Sequence, residues 1–111
     1  MKTIIAGSRT ITNYDKLKQA IVDSGFDVTE VVSGGANGVD KMGERWAQEN
    51  NIPMKVFPAN WDLFGKSAGY QRNNDMARYA DALIALWDGH SRGTKHMIDL
   101  ANSLRLKTYL K

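Results

Sequence analysis

Five short apolar runs, separated by stretches of helical spacing, limit this chain to very few folds. Lys2–Ala6 reads as a buried strand, and Val28–Val32 is β-branched. Ile52–Phe57 is the third strand, with Pro53 at its start, where a missing N–H is tolerated. Asp81–Trp87 and Leu106–Leu110 complete the set. Between them, apolar residues recur at the helical period. Tyr14, Leu17, Ala20 and Ile21 mark the first helix, and Val39, Met42, Trp46 and Ala47 the second. After a loop from Pro58 to Gly65, a helix from about Ser67 to Tyr79 buries Met76, Ala77 and Ala80 near its end. The last helix carries Met97, Ile98, Ala101 and Leu104 on one face. Short apolar strands joined by helices predict a parallel sheet covered on both faces. With right-handed crossovers, the expected fold class is α/β. It is a single Rossmann-like three-layer α/β/α domain over 1–111, its five-stranded parallel sheet ordered 3-2-1-4-5. The order reverses between strands one and four, and open α/β sheets bind ligands beyond the carboxyl ends of strands near such a reversal.

The loops at those ends are Gly7-Ser8-Arg9, Ser33-Gly34-Gly35-Ala36-Asn37-Gly38-Val39-Asp40 and Asp88-Gly89-His90-Ser91-Arg92-Gly93-Thr94. A strand that passes through glycines into a helix lets backbone N–H groups point at an anion, and the helix N-terminus adds roughly half a positive charge. A single such turn is a tight βα connection. Two, beside Arg and Asn side chains, suggest a phosphate-bearing ligand, most simply a nucleotide. Arg9, just past the first strand, is placed to pair a phosphate bidentately or to stay solvated. Asp40, in the first turn of its helix, serves either the helix dipole or a hydrogen bond to a ribose hydroxyl or the glycine loop. Trp46 belongs to the core. Trp61 and Trp87, on the ligand side, either stack on a base or pack.

Composition excludes several classes. Hydrophobic residues make up 42% of 111, enough for a real core. There is no cysteine, which excludes disulfides, zinc–thiolate sites and a cysteine nucleophile, and fits a cytoplasmic protein. Thr3-Ile4-Ile5-Ala6 is too short for a signal peptide, and no run approaches the roughly 20 apolar residues of a membrane span. A net charge of +3 favours an anionic ligand but is too small to argue for nucleic acid. The first turn has only Gly7, so the G-x-G-x-x-G dinucleotide fingerprint is absent. Gly65-Lys66-Ser67 looks like the end of a Walker A loop, but Asn60 stands where its first glycine belongs and no strand leads into it. His90 and His96 match no zinc spacing, so no metal ligands are assigned. No G-x-S-x-G elbow occurs.

In combination and in order, further motifs join these loops: Phe57-Pro58-Ala59-Asn60-Trp61, Gly69-x-x-Arg72-Asn73 and Ala80-Asp81-Ala82-Leu83-Ile84-Ala85. The whole set resembles the YspA/YpsA-like branch of the SLOG superfamily across nearly the whole chain. The resemblance implies a Rossmann-like fold whose glycine loops bind nucleotides or nucleotide-derived ligands, ADP-ribose-type signals among them. The superfamily includes the Lonely-guy phosphoribohydrolases, which cleave the N-glycosidic bond of nucleoside 5′-monophosphates, and the DNA-processing protein DprA. Arg72 matches the Arg of the phosphoribohydrolase site, and Gly93-Thr94 matches its Gly-Thr turn. Lys95, His96 and Met97 follow, so the carboxylate expected after that turn is missing. A carboxylate there would stabilise an oxocarbenium-like state or activate water, and Lys95 has the wrong sign for either.

The expected ligand site therefore comprises Gly7, Ser8, Arg9, Ser33, Gly34, Gly35, Gly38, Asp40, Arg72, Asn73, Asp88, Ser91, Gly93 and Thr94. Amides of Gly34, Gly35, Gly38, Gly93 and Thr94 would cradle phosphate. The first expectation is a domain that senses or sequesters a nucleotide-type small molecule. The second is an N-glycosidase, its catalytic groups drawn from Arg72, His96, Asp40 and Asp88, with Asp99 too far along its helix. A nucleic-acid-binding module ranks third, because no basic stripe interleaved with aromatics is present. No cofactor is assigned; one Mg²⁺ is compatible with a phosphate ligand but has no dedicated cage here. Relatives that pair suggest a homodimer or higher homo-oligomer, with Ala77, Ala80 and the last helix as the interface; no membrane partner is expected.

Overall fold

The computed structural model describes residues 1–111. In chain order the elements are β1 (Lys2–Gly7), α1 (Tyr14–Ser24), β2 (Glu30–Ser33), α2 (Val39–Glu49), β3 (Met54–Val56), α3 (Trp61–Phe64), a 3₁₀ turn (Gly65–Ser67), α4 (Ala68–Tyr79), β4 (Ala82–Leu86), α5 (Arg92–Ser103) and β5 (Lys107–Leu110). All strand pairs are parallel, and the sheet order is β3-β2-β1-β4-β5, as the alternation of runs predicts. The β1–β4 register, with Ile4 opposite Leu83 and Ile5 opposite Ile84, sets the centre of the sheet.

Period-two alternation sends neighbouring side chains to opposite faces. Ile4, Val32, Leu83 and Ala85 pack on Met76, Ala77 and Ala80 and on Met97, Ile98 and Ala101, under α4 and α5. Ile5, Val31, Ile84 and Leu86 pack on Leu17, Ala20 and Ile21 and on Val39 and Ala47, under α1 and α2. These two layers confirm the three-layer architecture. No helix is long and apolar enough to cross a membrane.

Four expectations need correction. The segment after Pro58 is not a loop throughout: Asn60 Oδ1 accepts a hydrogen bond from the Leu63 amide at 3.1 Å and starts α3. The third strand is shorter than its apolar run, because it lies at the sheet edge and pairs with β2 alone. Leu104 sits at the C-cap of α5 and is 45% exposed, so it leaves the buried face of its helix. Ala77 and Ala80 are buried inside this chain's own core and offer no surface to a second copy.

Leu83→Ala should cost about 2–5 kcal/mol of stability, because it opens a cavity in a strand buried on both faces. Leu104→Ala should stay within about 0.5 kcal/mol. Urea unfolding of the two variants checks this, and equal losses would contradict the placement of Leu104.

Candidate functional site at the carboxyl edge of the sheet

The loops that follow β1, β2 and β4 meet at one edge, and buried polar side chains hold them there. Ser8 is buried beneath the first loop. Its amide donates to the Leu86 carbonyl at 3.0 Å, and its Oγ accepts from the Asp88 amide at 3.0 Å. Asp88 in turn shapes the loop after β4. Its Oδ1 accepts from the His90 and Ser91 amides at 2.8 and 3.0 Å, and its Oδ2 from the Thr10 hydroxyl at 3.0 Å. The His90 and Ser91 amides, with help from Thr10, hold the Asp88 carboxyl down at about 2. Ser8 and Asp88 thus act as struts for the loops and do not line the cleft.

The glycine loop after β2 is braced in the same way. Ser33 is fully buried; its Oγ donates to Glu44 Oε2 at 2.8 Å and accepts from the Gly35 amide at 3.1 Å. The Ala36 amide donates to Asp40 Oδ2 at 3.3 Å. The Gly35 amide is therefore turned inward, away from the phosphate-cradling role expected of it. Gly38 has φ +80°, and a Cβ there would lie 2.7 Å from the Ser8 carbonyl oxygen and the Arg9 Cα. Only glycine lets the two loops touch at this point. Gly38 also leaves the start of α2 without a side-chain cap.

Arg72 reaches across from α4. Its Nη1 donates to the Gly34 carbonyl at 2.6 Å and its Nε to Asn73 Oδ1 at 3.1 Å. A Cβ on Gly34 would lie 2.8 Å from Arg72 Nη1, so the glycine admits the guanidinium. Asn73 Nδ2 donates to the Gly93 carbonyl at 3.1 Å and lies 3.2 Å from His96 Nδ1. Arg72 and Gly93 together fix the orientation of this amide, so His96 Nδ1 must be the acceptor and its ring neutral. Burial also lowers the His96 pKa. With that nitrogen occupied, and with the ring edge-on to Tyr70 outside the cleft, His96 is not a free general base. Lys95 pairs with Asp99 at 2.8 Å on the exposed side of α5, which takes Asp99 out of the site. Ser91 caps α5, its Oγ 3.0 Å from Thr94 Oγ1. Trp87 donates its Nε1–H to the Ser91 carbonyl at 3.0 Å and packs on the core, so its role is packing.

What remains is a cleft of about 260 Å³ whose walls include Gly7, Arg9, Asp40, Arg72, Asn73, Ser91, Gly93 and Thr94. An adjoining groove of about 450 Å³ includes Gly34, Gly35 and Lys41 and shares Arg9, Ala36 and Arg72 with the cleft. The sequence motifs thus name most of the cleft, but they do not mark Lys41 or Val56, which line the groove, or Met76 and Met97, which line the cleft. The two methionines follow the core period of their helices, and their second exposure, to the cleft, leaves no trace in that pattern. No three His, Cys, Asp or Glu side chains converge to hold a metal ion.

Asp40 is the one carboxylate on the cleft wall, and it is 5% exposed. Burial pushes its carboxyl from 3.8 up to about 6, while the Ala36 and Gly7 amides and Arg72 pull the other way. Between those two values the folded chain holds a proton that the unfolded chain has lost. Stability therefore falls as pH rises from about 4 to about 6, and the cost, on the order of 3 kcal/mol, persists at higher pH. Asp40→Asn should accordingly gain stability relative to the parent protein as pH rises across this window. Urea unfolding at pH 4.5 and 7.5 checks this, and a difference that does not change with pH would contradict a buried, ionising Asp40.

A family model described as "YspA, cpYpsA-related SLOG family" (YAcAr) matches residues 1–64. The chain is 37% identical over 105 residues to the "Gene 61 protein" of Mycobacterium phage D29, covering 86% of this chain and 83% of the relative. The X-ray structure of DNA processing protein A (DprA) from Streptococcus pneumoniae superposes with a TM-score of 0.80 at 16% identity, covering 98% of this chain and 49% of that one. This chain thus spans about half the length of DprA, and at that identity the likeness speaks for the fold alone. The family match, over more than half of the chain and across the first two loops that build the cleft, identifies the chain as a member of the YspA, cpYpsA-related SLOG family.

Proposed function

We propose that the chain binds a nucleotide or nucleotide-derived ligand by holding its phosphate between Arg9 and Arg72. One observation carries this reading. Two guanidiniums from different elements line one cleft at the reversal of the sheet, and the only carboxylate there is buried. Arg9 is exposed and comes from the loop after β1; Arg72 is half-buried and already aimed by Gly34 and Asn73. Guanidiniums suit phosphate because their planar donor fork matches two oxygens at once. The start of α5, at Gly93 and Thr94, adds its dipole to the same cleft. Nucleoside monophosphates and ADP-ribose-type molecules fit this polarity. A Mg²⁺ ion here would arrive on the ligand's phosphates and water, as that ion prefers. Binding by the chain would serve to sense or sequester such a molecule.

Asp40 favours a second reading. A carboxyl that ionises near 6 beside a bound nucleotide has the proton affinity of a general acid or base. Of the carboxylates considered from the sequence, it alone lines the cleft and could replace the Glu missing after Gly93-Thr94. Adenine released from AMP, and lost in Asp40→Asn, would make the chain an N-glycosidase.

The binding reading is tested by calorimetry and thermal unfolding with AMP, ADP, ADP-ribose, cyclic ADP-ribose, NAD and cyclic dinucleotides. A ligand at about 100 times its Kd adds roughly 2.7 kcal/mol, which raises the midpoint on the order of 10 °C. Arg9→Ala should weaken binding about tenfold or more with little change in the unliganded midpoint. Arg72→Ala should lose affinity and also some stability, because it releases the Gly34 carbonyl and leaves Asp40 without its cation. Unchanged affinity in both variants would remove the guanidiniums from the site.

A further inference from the structure

Trp46 and Trp87 pack against the core, whereas Trp61 is 58% exposed. Its backbone is held by the Asn60 cap, which sets the start of α3 at this residue. One edge of the indole meets α4 at Gly69. A Cβ built on Gly69 would lie 3.8 Å from Trp61 Cη2 and 3.9 Å from Arg72 Nη2. The indole edge and the guanidinium therefore both border α4 at Gly69. The groove beside the cleft is lined by Arg9, Arg72, the glycine loop, Val56, Pro58 and Trp61, with Lys41 also on its wall. It thus brings cations and an open aromatic side chain into one groove.

We infer that Trp61 is the base-stacking platform of this site. The ligand is a nucleotide whose planar ring lies on the Trp61 indole in the groove while its phosphate is held at Arg9 and Arg72. This rests on the nucleotide reading above and adds to it a place for the base. A heterocycle attached to a phosphate uses both the face of the indole and the guanidiniums, whereas an alkyl chain uses the indole alone. Stacking accepts any base by its π-face, so discrimination among bases would fall to edge contacts from Asn37 and the glycine-loop backbone, which border the groove.

Calorimetric titration of the full chain with AMP, ADP-ribose and ribose 5-phosphate tests this, because the last carries the phosphate without the ring. Trp61→Ala should weaken AMP and ADP-ribose about tenfold or more and leave ribose 5-phosphate unchanged. Trp61→Phe, which keeps a π-face, should restore most of the loss. If Trp61→Ala binds all three as the parent does, the platform is overturned and the phosphate site stands. A loss with ribose 5-phosphate as large as with AMP would also overturn it. If the parent protein binds none of the three, the nucleotide reading falls and the platform with it.

Discussion

β1 pairs in parallel with β2 on one side and with β4 on the other, so the chain winds away from it in opposite directions. The loops that leave β1 and β4 must then part at the carboxyl edge, and a crevice opens between them. Everything at the candidate site is an adjustment of that crevice. Ser8 ties the first loop to the end of β4, and Gly38 lets the glycine loop rest against Ser8 and Arg9. Arg72 spans the gap from α4 to Gly34, and Asn73 ties α4 to the start of α5 on the same face. The Ser8 and Arg72 bonds thus lace the crevice between elements that pack on opposite faces of the sheet.

This lacing divides the polar residues into two kinds. Ser8, Ser33 and Asp88 spend their side chains on backbone or side-chain partners within the loops, and their loss would be felt as stability. Arg9, the outer side of Arg72, Ser91 and Thr94 face the cleft and have more to give a ligand. Asp40 belongs to both kinds: it accepts from the Ala36 amide and also forms part of the wall. Arg72 is the cation that answers its charge on that wall.

The fold was legible because its central strands are apolar on both faces and its helices keep a clean period, as at Leu17, Ala20 and Ile21. The edge strand was harder to bound, since residues 52–57 look like a strand from end to end and only pairing with β2 trims them. The short α3 helix lay hidden in a Pro-Ala-Asn-Trp stretch, although Asn60 three residues before Leu63 is a legible cap in hindsight. Within the site, residue types were legible and their directions were not. Nothing in Ser33-Gly34-Gly35 shows that the Gly35 amide turns toward Ser33, because that choice depends on Glu44 a helical turn and more away. The neutral state of His96 likewise depends on Asn73, which is remote in sequence and adjacent only in space.

The central claim is that an anionic nucleotide sits where the three loops meet. Amide chemical shifts in an NMR titration with AMP and ADP-ribose test that location directly, residue by residue. The account predicts that the largest changes fall on Gly34–Asn37 and Ser91–Thr94, with the Arg9 and Arg72 side-chain N–H signals moving in step. Changes confined to the amino edge of the sheet or to the outer faces of α1 and α5, or none at saturating nucleotide, would contradict it.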